Sequence, residues 1–525
     1  MEFEISNHVL VKYHGTVGKV TIPNGVTTIG EYAFSGCPYI TEIEIPDGVV
    51  TIERGAFESS GNLRKVTMPN SVTTIGVYAF FNCANLIEAR IPNSVTTIEA
   101  GAFRRCFQLR EVEIPNSVVT IGDDAFSACD HLTEIKISDS VTTIGKQAFR
   151  GCYGLTKLEI ADSVTTIGEY AFSGCVNLKE IKLSNSITSM EDHVLSRCYH
   201  LTKVEIPNGV TTIGENAFKC CENLTEIVIP DSVTAIGDSA FEQCENLMEV
   251  VMPDNITRIG NSAFKNCANL RKVEISNNVT AIGDSAFEYC KNLTEIVMPN
   301  SVTTIGDSAF KHCENLMELV ISNSVTMIGK KVFSCCRSLN SVTIPNGVTE
   351  IGENAFSGCN NLREVELSNS ILSIRESAFA YCEKLSEVTI PNSVTTIGEN
   401  AFLNCSNLTK LILSDSITSF EMGAFAGCSN LTELVIPNGV KNLGNCTFFN
   451  CEKLTEVVLP SSVTTIGDCT FFNCHHLTKL VIPNSVANIG EKTFEECPKL
   501  TIYGSKDSFA QTYAQTQDIP FIEIE

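Results

Sequence analysis

Residues 224–246 have the sequence LTEIVIPDSVTAIGDSAFEQCEN, and the same pattern returns every 23 residues along the chain. A phenylalanine recurs at this interval from Phe34 to Phe494 without insertion or deletion, which defines 21 units. Only Leu195 replaces the phenylalanine, and only Ser60 replaces the cysteine three residues later. A fixed period of 20 to 50 residues is typical of solenoids and propellers, and a 23-residue unit lies within the range of leucine-rich repeats.

Each unit is predicted to contain two short extended segments followed by a compact turn. Apolar residues alternate on the first segment, Pro230 turns the chain, and Gly237 breaks the second segment. Asp238–Gln243 is expected to form at most one or two helical turns. The side chains expected in the core are those of Leu224, Ile227, Ile229, Val233, Ile236, Ala240 and Phe241.

No single unit is large enough to bury these side chains, so adjacent units must stack and pair their strands in register. The sequence therefore predicts a β-rich repeat solenoid. We expect a leucine-rich-repeat right-handed superhelix with parallel β-sheets and short helical turns. At a strand spacing of about 4.8 Å, the stack would extend for roughly 100 Å.

The string IPxSVTxIGxxAFxxC, present throughout the chain, resembles the BspA-like subfamily of leucine-rich repeats, found in bacterial and protist surface or secreted proteins. Phe3–Pro23 and Leu500–Ile524 are similar to the N-terminal and C-terminal caps of such bacterial proteins. The resemblance implies an N-terminal cap over 1–21, a solenoid of 21 units of 23 residues over 22–499, and a C-terminal cap over 500–525.

The caps also follow from physical need, because a solenoid exposes core side chains and unpaired strand edges wherever it stops. In the N-terminal cap we expect strands near Phe3–Ile5 and Val9–Tyr13. In the C-terminal cap we expect a short helix near Ser508–Thr516 and a last strand at Pro520–Ile524.

The charge balance is strongly acidic, with 37 basic and 61 acidic side chains and a net charge of −24. This balance argues against nucleic acid or an anionic membrane surface as a partner and favours a basic or weakly charged one. Met1–Gly30 lacks the features of a secretion signal, and no apolar run is long enough to insert into a membrane. Location stays open: cytoplasmic for the chain as written, or cell surface or secreted if the family resemblance applies to a trimmed form.

The repeating cysteine position accounts for 20 of the 24 cysteines. One cysteine per coil suits neither a disulfide framework nor a zinc site, so we interpret it as a small apolar residue whose S–H donates to a turn carbonyl. Cys220 and Cys335 each precede a cysteine of this column. Cys446 and Cys469 share one position in adjacent coils, about 5 Å apart, and a disulfide between them stays open.

Catalytic and metal-binding motifs are missing from the sequence: it has no HExxH, P-loop, GxSxG or dinucleotide-binding glycine string. Cys474, His475 and His476 are adjacent, but successive residues in a turn point apart and are interpreted as local surface. Catalysis needs dissimilar groups that converge on one place, whereas this chain repeats similar groups everywhere. We therefore expect no enzymatic activity, no cofactor and no metal.

The candidate binding surface lies on the first strand of each coil, where two outward columns flank the buried Ile43 position. The glutamate column begins at Glu42, and 13 of its 20 members are Glu, with lysines interspersed. Neighbouring like charges repel, so a cationic partner would relieve a mild cost. Alternatively, the column is a solvated face that keeps the sheet soluble.

The valine column begins at Glu44 and changes from polar to apolar along the chain. An apolar stripe with a charged rim is typical of a protein-binding surface, although valine also suits strands for their own sake. The candidate protein-binding residues of the two columns are Glu226, Val228, Glu249, Val251, Glu295, Val297, Glu318, Val320, Ile412, Glu433, Val435, Glu456, Val458 and Val481.

These features favour a non-catalytic, protein-binding or adhesin-like scaffold that acts as a monomer. Its partner is expected to be a protein, either basic or on a host or cell surface, with no nucleic acid and no membrane insertion. A structural or self-assembling element and a carbohydrate binder are the alternatives. Threonine pairs such as Thr303 and Thr304 bear on the last of these, since we expect them to form hydroxyl ladders.

Overall fold

A computed structural model describes residues 2–524 of the chain. These residues divide into two compact units. The N-terminal unit contains residues up to 256 together with 266–268, and the C-terminal unit contains 257–265 together with the residues from 269 onward. Each unit is a stack of coils in which the first strands and the second strands form separate series of sheets, and nearly all of the strand pairs are parallel.

The strands of the N-terminal unit are β1 (Phe3–Ser6), β2 (Val9–Tyr13), β3 (Lys19–Thr21), β4 (Thr28–Ile29), β5 (Glu42–Glu44), β6 (Thr51–Ile52), β7 (Lys65–Thr67), β8 (Thr74–Ile75), β9 (Glu88–Ala89), β10 (Thr97–Ile98), β11 (Glu111–Glu113), β12 (Thr120–Ile121), β13 (Glu134–Lys136), β14 (Thr143–Ile144), β15 (Lys157–Glu159), β16 (Thr166–Ile167), β17 (Glu180–Lys182), β18 (Ser189–Met190), β19 (Lys203–Val204), β20 (Thr212–Ile213), β21 (Ala235–Ile236) and β22 (Glu249–Val251).

The elements of the C-terminal unit are β23 (Arg258–Ile259), β24 (Lys272–Glu274), β25 (Ala281–Ile282), β26 (Glu295–Val297), β27 (Thr304–Ile305), β28 (Glu318–Val320), β29 (Met327–Ile328), β30 (Ser341–Thr343), β31 (Glu350–Ile351), β32 (Glu364–Glu366), β33 (Ser373–Ile374), β34 (Glu387–Thr389), β35 (Thr396–Ile397), β36 (Lys410–Ile412), β37 (Ser419–Phe420), β38 (Glu433–Val435), β39 (Asn442–Leu443), β40 (Glu456–Val458), β41 (Thr465–Ile466), β42 (Lys479–Val481), β43 (Asn488–Ile489), β44 (Thr501–Gly504), α1 (Phe509–Thr516) and β45 (Phe521–Glu523).

Strand register reproduces the sequence period. The first strands of adjacent coils pair in parallel, as where Ile43 of β5 lies opposite Val66 of β7. The second strands pair in the same way, as where Ile52 of β6 lies opposite Ile75 of β8. Each pair of partners is 23 residues apart in the sequence. The parallel-sheet solenoid predicted from the repeat is therefore confirmed.

The third side of each coil is the turn segment, and here the expected helical turns do not form. In Asp123–Cys129, the residues Asp124 and Ala128 have left-handed φ values of 55° and 57°. Their N–H groups donate to the next coil, at 2.8 Å and 2.7 Å, while the intervening Ser127 N–H bonds back to the Asp124 carbonyl. All 21 coils from Tyr32 onward have such left-handed residues at the same two positions.

Asp238–Gln243 follows this rule, so the prediction of helical turns there was wrong. Ser239 and Gln243 have φ values of 53° and 62°, which break the run of right-handed residues that a helix requires. A helix would also keep its N–H groups within the coil. The alternating turn instead directs every second N–H to the neighbouring coil and still buries the apolar side chains between them.

Gly237 follows the second strand at a point where adjacent coils approach each other closely. A Cβ atom on this residue would lie 2.7 Å from the carbonyl carbon of Gly214, so a side chain here requires the backbone to shift. The Gly237 N–H also bonds to the Ile213 carbonyl oxygen at 2.8 Å. The glycine favours this close approach, but other coils make the same contact with a side chain present: Arg375 occupies the equivalent position, and its N–H bonds to the Ile351 carbonyl oxygen at 2.9 Å.

The phenylalanines stack in the interior of each unit. Ring centroids from Phe34 to Phe172 are 5.0 to 5.7 Å apart, and each ring is nearly parallel to the next. In the C-terminal unit the stack runs from Phe264 to Phe494. Leu195 interrupts the N-terminal stack and is itself fully buried. These stacks give the coils a shared dry interior.

The expected cap elements are present. β1 and β2 form an antiparallel pair, and β2 then joins the second-strand sheet through β4. At the other end, α1 begins after its N-cap Ser508, and β45 pairs with β44. Two tyrosines not singled out from the sequence close the aromatic stacks: Tyr13 lies 5.1 Å from Phe34, and Tyr513 contacts Phe494 edge-on at 5.8 Å.

Truncation of one stacked ring is expected to destabilise the coils on both sides of it. Phe126 lies 5.4 Å from each of its two aromatic neighbours, so Phe126→Ala should lower the free energy of local opening by about 3 to 5 kcal/mol. Phe126→Leu is the matched control, because Leu195 shows that the column accepts leucine. Hydrogen exchange of the flanking coils measures both effects, and equal losses for the two variants would contradict the shared-interior model.

Candidate functional site

The first strands present the two predicted columns to solvent. Each strand has an exposed residue, a buried residue and an exposed residue in turn, as in Glu433, Leu434 and Val435 of β38. All of the candidate binding residues named from the sequence are exposed except Val481, which is half-buried. Val228 in the N-terminal unit and Val435 in the C-terminal unit are the most exposed of the valines, at 74% and 81%.

The glutamate column is partly neutralised by its own lysines. Lys65 Nζ lies 3.7 Å from a carboxylate oxygen of Glu88 in the next coil. Between these pairs the acidic side chains remain adjacent, since Glu111 lies opposite both Glu88 and Glu134. The surface therefore alternates between ion-paired coils and runs of neighbouring carboxylates, and it keeps a net negative charge.

The valine column forms a continuous row at the C-terminal end. Val435 lies opposite Val458, and Val458 lies opposite Val481. The row continues beyond the residues predicted from the sequence: Val481 also lies opposite Tyr503, and Tyr503 lies opposite Ile522. We name this row the C-terminal apolar row; its members are Ile412, Val435, Val458, Val481, Tyr503 and Ile522.

The two cap residues were missed because they fall outside the repeat register. Tyr503 follows Val481 by 22 residues and Ile522 follows Tyr503 by 19, so a search at the repeat period does not reach them. The only signal in the sequence was the predicted strand at the chain end, whose pairing partner the sequence did not reveal.

The repeating cysteines are structural. The Cys129 thiol donates to the Phe103 carbonyl oxygen at 3.2 Å, and the same bond recurs along the column. Ser60 makes the equivalent bond to the Phe34 carbonyl oxygen at 2.6 Å. The S–H···O=C hydrogen bond predicted for the column is therefore confirmed. Burial raises the pKa of the Cys175 thiol to about 12, which keeps it protonated and unreactive at neutral pH.

The off-column cysteines all occupy left-handed positions of the turn segment. Cys220 and Cys335 have φ values of 60° and 61°, and Cys446 and Cys469 have φ values of 55° and 52°. All four are free thiols, so the disulfide that the sequence left open between Cys446 and Cys469 is not formed. Burial, followed by the neighbouring Cys469, raises the pKa of the Cys446 thiol.

The three adjacent residues considered as metal ligands each bond elsewhere. Cys474 Sγ lies 3.4 Å from the Phe448 carbonyl oxygen, and His476 Nδ1 lies 2.9 Å from that of Glu452. His131 and His200 make the same carbonyl contact at the equivalent position of their own coils. Among residues 2–524, no group of three or more His, Cys, Asp or Glu side chains is arranged to hold a metal ion.

The threonine pairs form a different ladder from the one expected. Thr303 Oγ1 donates to the Thr280 carbonyl oxygen of the preceding coil at 3.2 Å, and Thr165 bonds to Thr142 in the same way at 3.3 Å. These bonds use the backbone as acceptor instead of a neighbouring hydroxyl. The hydroxyl proton of the first threonine in each of these pairs is thereby committed to the fold.

Comparison with protein families identifies the repeat. The chain matches the family model described as "BspA type Leucine rich repeat region (6 copies)". The matches cover residues 4–132, 97–225, 211–337, 326–455 and 418–515. The chain belongs to the BspA-type leucine-rich repeat family. As a BspA-type protein it is a repeat scaffold, in which the same surface position recurs from coil to coil.

Solved structures similar to this BspA-type chain include other bacterial repeat proteins. A leucine-rich repeat protein from Bacteroides ovatus is 21% identical, with 100% of this chain and 98% of that chain covered and a TM-score of 0.36. A leucine rich cell surface protein from Faecalibacterium prausnitzii is 29% identical, with 78% and 92% covered and a TM-score of 0.36. A search of curated proteins gives no match.

Within the part of the BspA-type chain that the structure describes, no helix has the length and apolar character needed to span a membrane.

The buried thiols predict how stability depends on pH. Their pKa values are raised in the folded chain above the ordinary 9.0, to about 12 for Cys175 and Cys405, so the unfolded chain loses these protons first. The contribution of these thiols to the free energy of unfolding should therefore be constant below about pH 8 and fall between about pH 9 and 12. Each such thiol contributes a slope of about 1.4 kcal/mol per pH unit.

Denaturant titrations at stepped pH measure this slope. Cys175→Ser should reduce the slope by the contribution of one thiol. The variant should still fold, because Ser60 occupies the equivalent position of another coil. Cys335→Ser, at a half-buried thiol outside the column, is the control. A free energy of unfolding that stays flat from pH 8 to 12 would be incompatible with thiols that remain protonated on folding.

Proposed function

We propose that this chain is a non-catalytic, adhesin-like scaffold that binds a protein partner along its first-strand surface. The observation that carries the proposal is the C-terminal apolar row. Val435 and Val458 are 81% and 56% exposed, lie opposite each other, and have carboxylates beside them at Glu433 and Glu456. An apolar centre with a charged rim is the anatomy of a protein-binding surface.

The row is large enough to serve as the centre of an interface. Its six positions, at about 4.8 Å per strand, extend for roughly 24 Å, comparable to the core of an interface burying about 800 Å² per partner. Complete burial of one exposed valine contributes about 1.5 to 3 kcal/mol. Several adjacent positions therefore supply a substantial part of the free energy of association before any polar contact forms.

Charge indicates what kind of protein fits. The chain has a net charge of −24, and Glu433 and Glu456 lie opposite each other along the rim of the row. A partner with an apolar stripe and flanking lysines or arginines would relieve the repulsion between these carboxylates and gain electrostatic steering during association. The same field disfavours nucleic acid, since its phosphates carry like charge.

A non-catalytic role is supported by the arrangement of chemical groups. From Cys83 to Cys474 the thiols of the cysteine column are buried, burial raises the pKa of thiols such as Cys175, and their hydrogen bonds join one coil to the next. His131, His200 and His476 contact main-chain carbonyl oxygens at one repeated position. Repetition spreads similar groups along the chain, whereas a catalytic site needs dissimilar groups at one place.

Self-association is the second candidate, and a strand edge favours it. β45 is the last strand of the five-stranded sheet that begins at β38, and its Ile522 is 46% exposed. An unpaired strand edge with apolar side chains is a template for pairing with another chain. Light scattering as a function of concentration separates this candidate from the first, because only self-association makes the mean mass rise.

The binding proposal is tested by placing charges on the row. The variant Val435→Glu with Val458→Glu and Val481→Glu should reduce partner capture from the native host at least tenfold, because the carboxylates oppose burial. The control is Thr418→Glu with Thr464→Glu and Ala487→Glu. It adds the same three charges at exposed positions of the second-strand side, over the same part of the chain.

Quantitative mass spectrometry of the captured proteins gives the comparison. Partners lost with the valine variant and retained with the control support the proposal. Equal retention by both variants would exclude the C-terminal apolar row as the binding site, provided that circular dichroism shows both to be folded.

A further inference from the structure

An open groove lies on the turn-segment side of the N-terminal unit, away from the first-strand surface. Its volume is about 480 Å³, within the range of small-ligand sites. It spans the coil in which Leu195 replaces the stacked phenylalanine, where the repeat pattern is most altered. The residues that line it are Arg150, Gly151, Tyr153, Ser173, Gly174, Val176, Arg197 and Tyr199.

Two glycines form the floor of the groove. Gly151 and Gly174 have φ values of 70° and 73° and occupy the same turn position in adjacent coils. Neither the backbone nor the packing requires glycine there, since Arg197 adopts φ 61° at the next equivalent position. A Cβ atom on Gly174 would also come no closer than 3.8 Å to the Gly151 backbone. The glycines therefore leave space for something outside the protein.

Two tyrosines flank this floor. Tyr153 and Tyr199 occupy the same turn position two coils apart, a separation of about 10 Å at the spacing of stacked strands, with Val176 between them. Tyr153 is 47% exposed. Tyr153, Val176 and Tyr199 thus line the groove in one row, and the apolar face of a pyranose packs well on an aromatic side chain.

Two arginines give the groove a positive charge in an acidic protein. Arg150 donates to the Gln147 amide oxygen at 2.9 Å and lies over the Tyr170 ring at 5.7 Å. Arg197 is exposed. Among the described residues neither guanidinium makes an ion pair with a carboxylate, although the whole chain has a net charge of −24. The Arg197 guanidinium, and the N–H donors of Arg150 that Gln147 does not use, are therefore available to a carboxylate from outside, a group that arginine binds in a bidentate manner.

We propose that this groove binds a carboxylated sugar residue of an acidic glycan. The pyranose ring lies over Gly151 and Gly174 and against the row of Tyr153, Val176 and Tyr199, and its carboxylate accepts hydrogen bonds from Arg150 and Arg197. This site is independent of the protein-binding surface, because it lies on a different side of the coils.

The test is calorimetric titration of the full chain with trigalacturonate and with its methyl ester. Trigalacturonate should bind saturably, and the ester, which lacks the charge, should bind at least tenfold more weakly. Arg197→Met should weaken trigalacturonate binding at least tenfold. Arg105→Met is the matched control, since Arg105 has the same left-handed conformation at the same turn position and lies four coils away.

A second pair of variants tests the glycine floor without removing a charge. Gly174→Asn fills the groove with a residue that other coils hold at this position, such as Asn404, and should abolish binding. Gly36→Asn is the control, because Gly36 has the same backbone conformation and open space around it. The assignment would be overturned if the acid and its ester bound equally well, or if Arg197→Met bound trigalacturonate as tightly as the unchanged chain. It would also be overturned if inorganic phosphate displaced trigalacturonate at an equal concentration, or if no binding were detected at millimolar sugar.

Discussion

The structure depends on hydrogen bonding and packing between successive coils. No coil has an interior of its own, because its phenylalanine is covered by the phenylalanines before and after it. The same is true of the backbone, since three sides of each coil direct N–H groups to a neighbour. A strand on its own is two or three residues long and has little stability. Cooperation between coils therefore replaces the local stability that ordinary secondary structure would supply.

This constraint explains how much could be predicted from the sequence. Any position that faces a neighbouring coil must repeat, so the buried columns, the parallel pairing and the cysteine hydrogen bond followed from the period alone. The turn segment did not, because Ser239 and Gln243 are ordinary residues whose left-handed conformation has no side-chain signature. Backbone bonding to the next coil imposes that conformation, and only the assembled structure reveals it.

The candidate site could likewise be predicted only where the repeat is regular. The outward columns followed from strand alternation, but Tyr503 and Ile522 lie in a cap where the period fails. The groove beside Leu195 was not foreseen either. Its glycines, tyrosines and arginines are scattered over 50 residues of sequence, from Arg150 to Tyr199, and only coil stacking brings them together. The structural role of irregular residues within a regular repeat is thus the hardest feature to predict from the sequence.

The constant register has an evolutionary consequence. Because neighbouring coils meet through equivalent atoms, an in-frame duplication or deletion of one whole unit would create a junction like those already present. The length of the protein can therefore change by genetic recombination between repeats with little effect on its folding. Selection can then change the length of the solenoid and the number of exposed surface positions separately from the residues that occupy those positions.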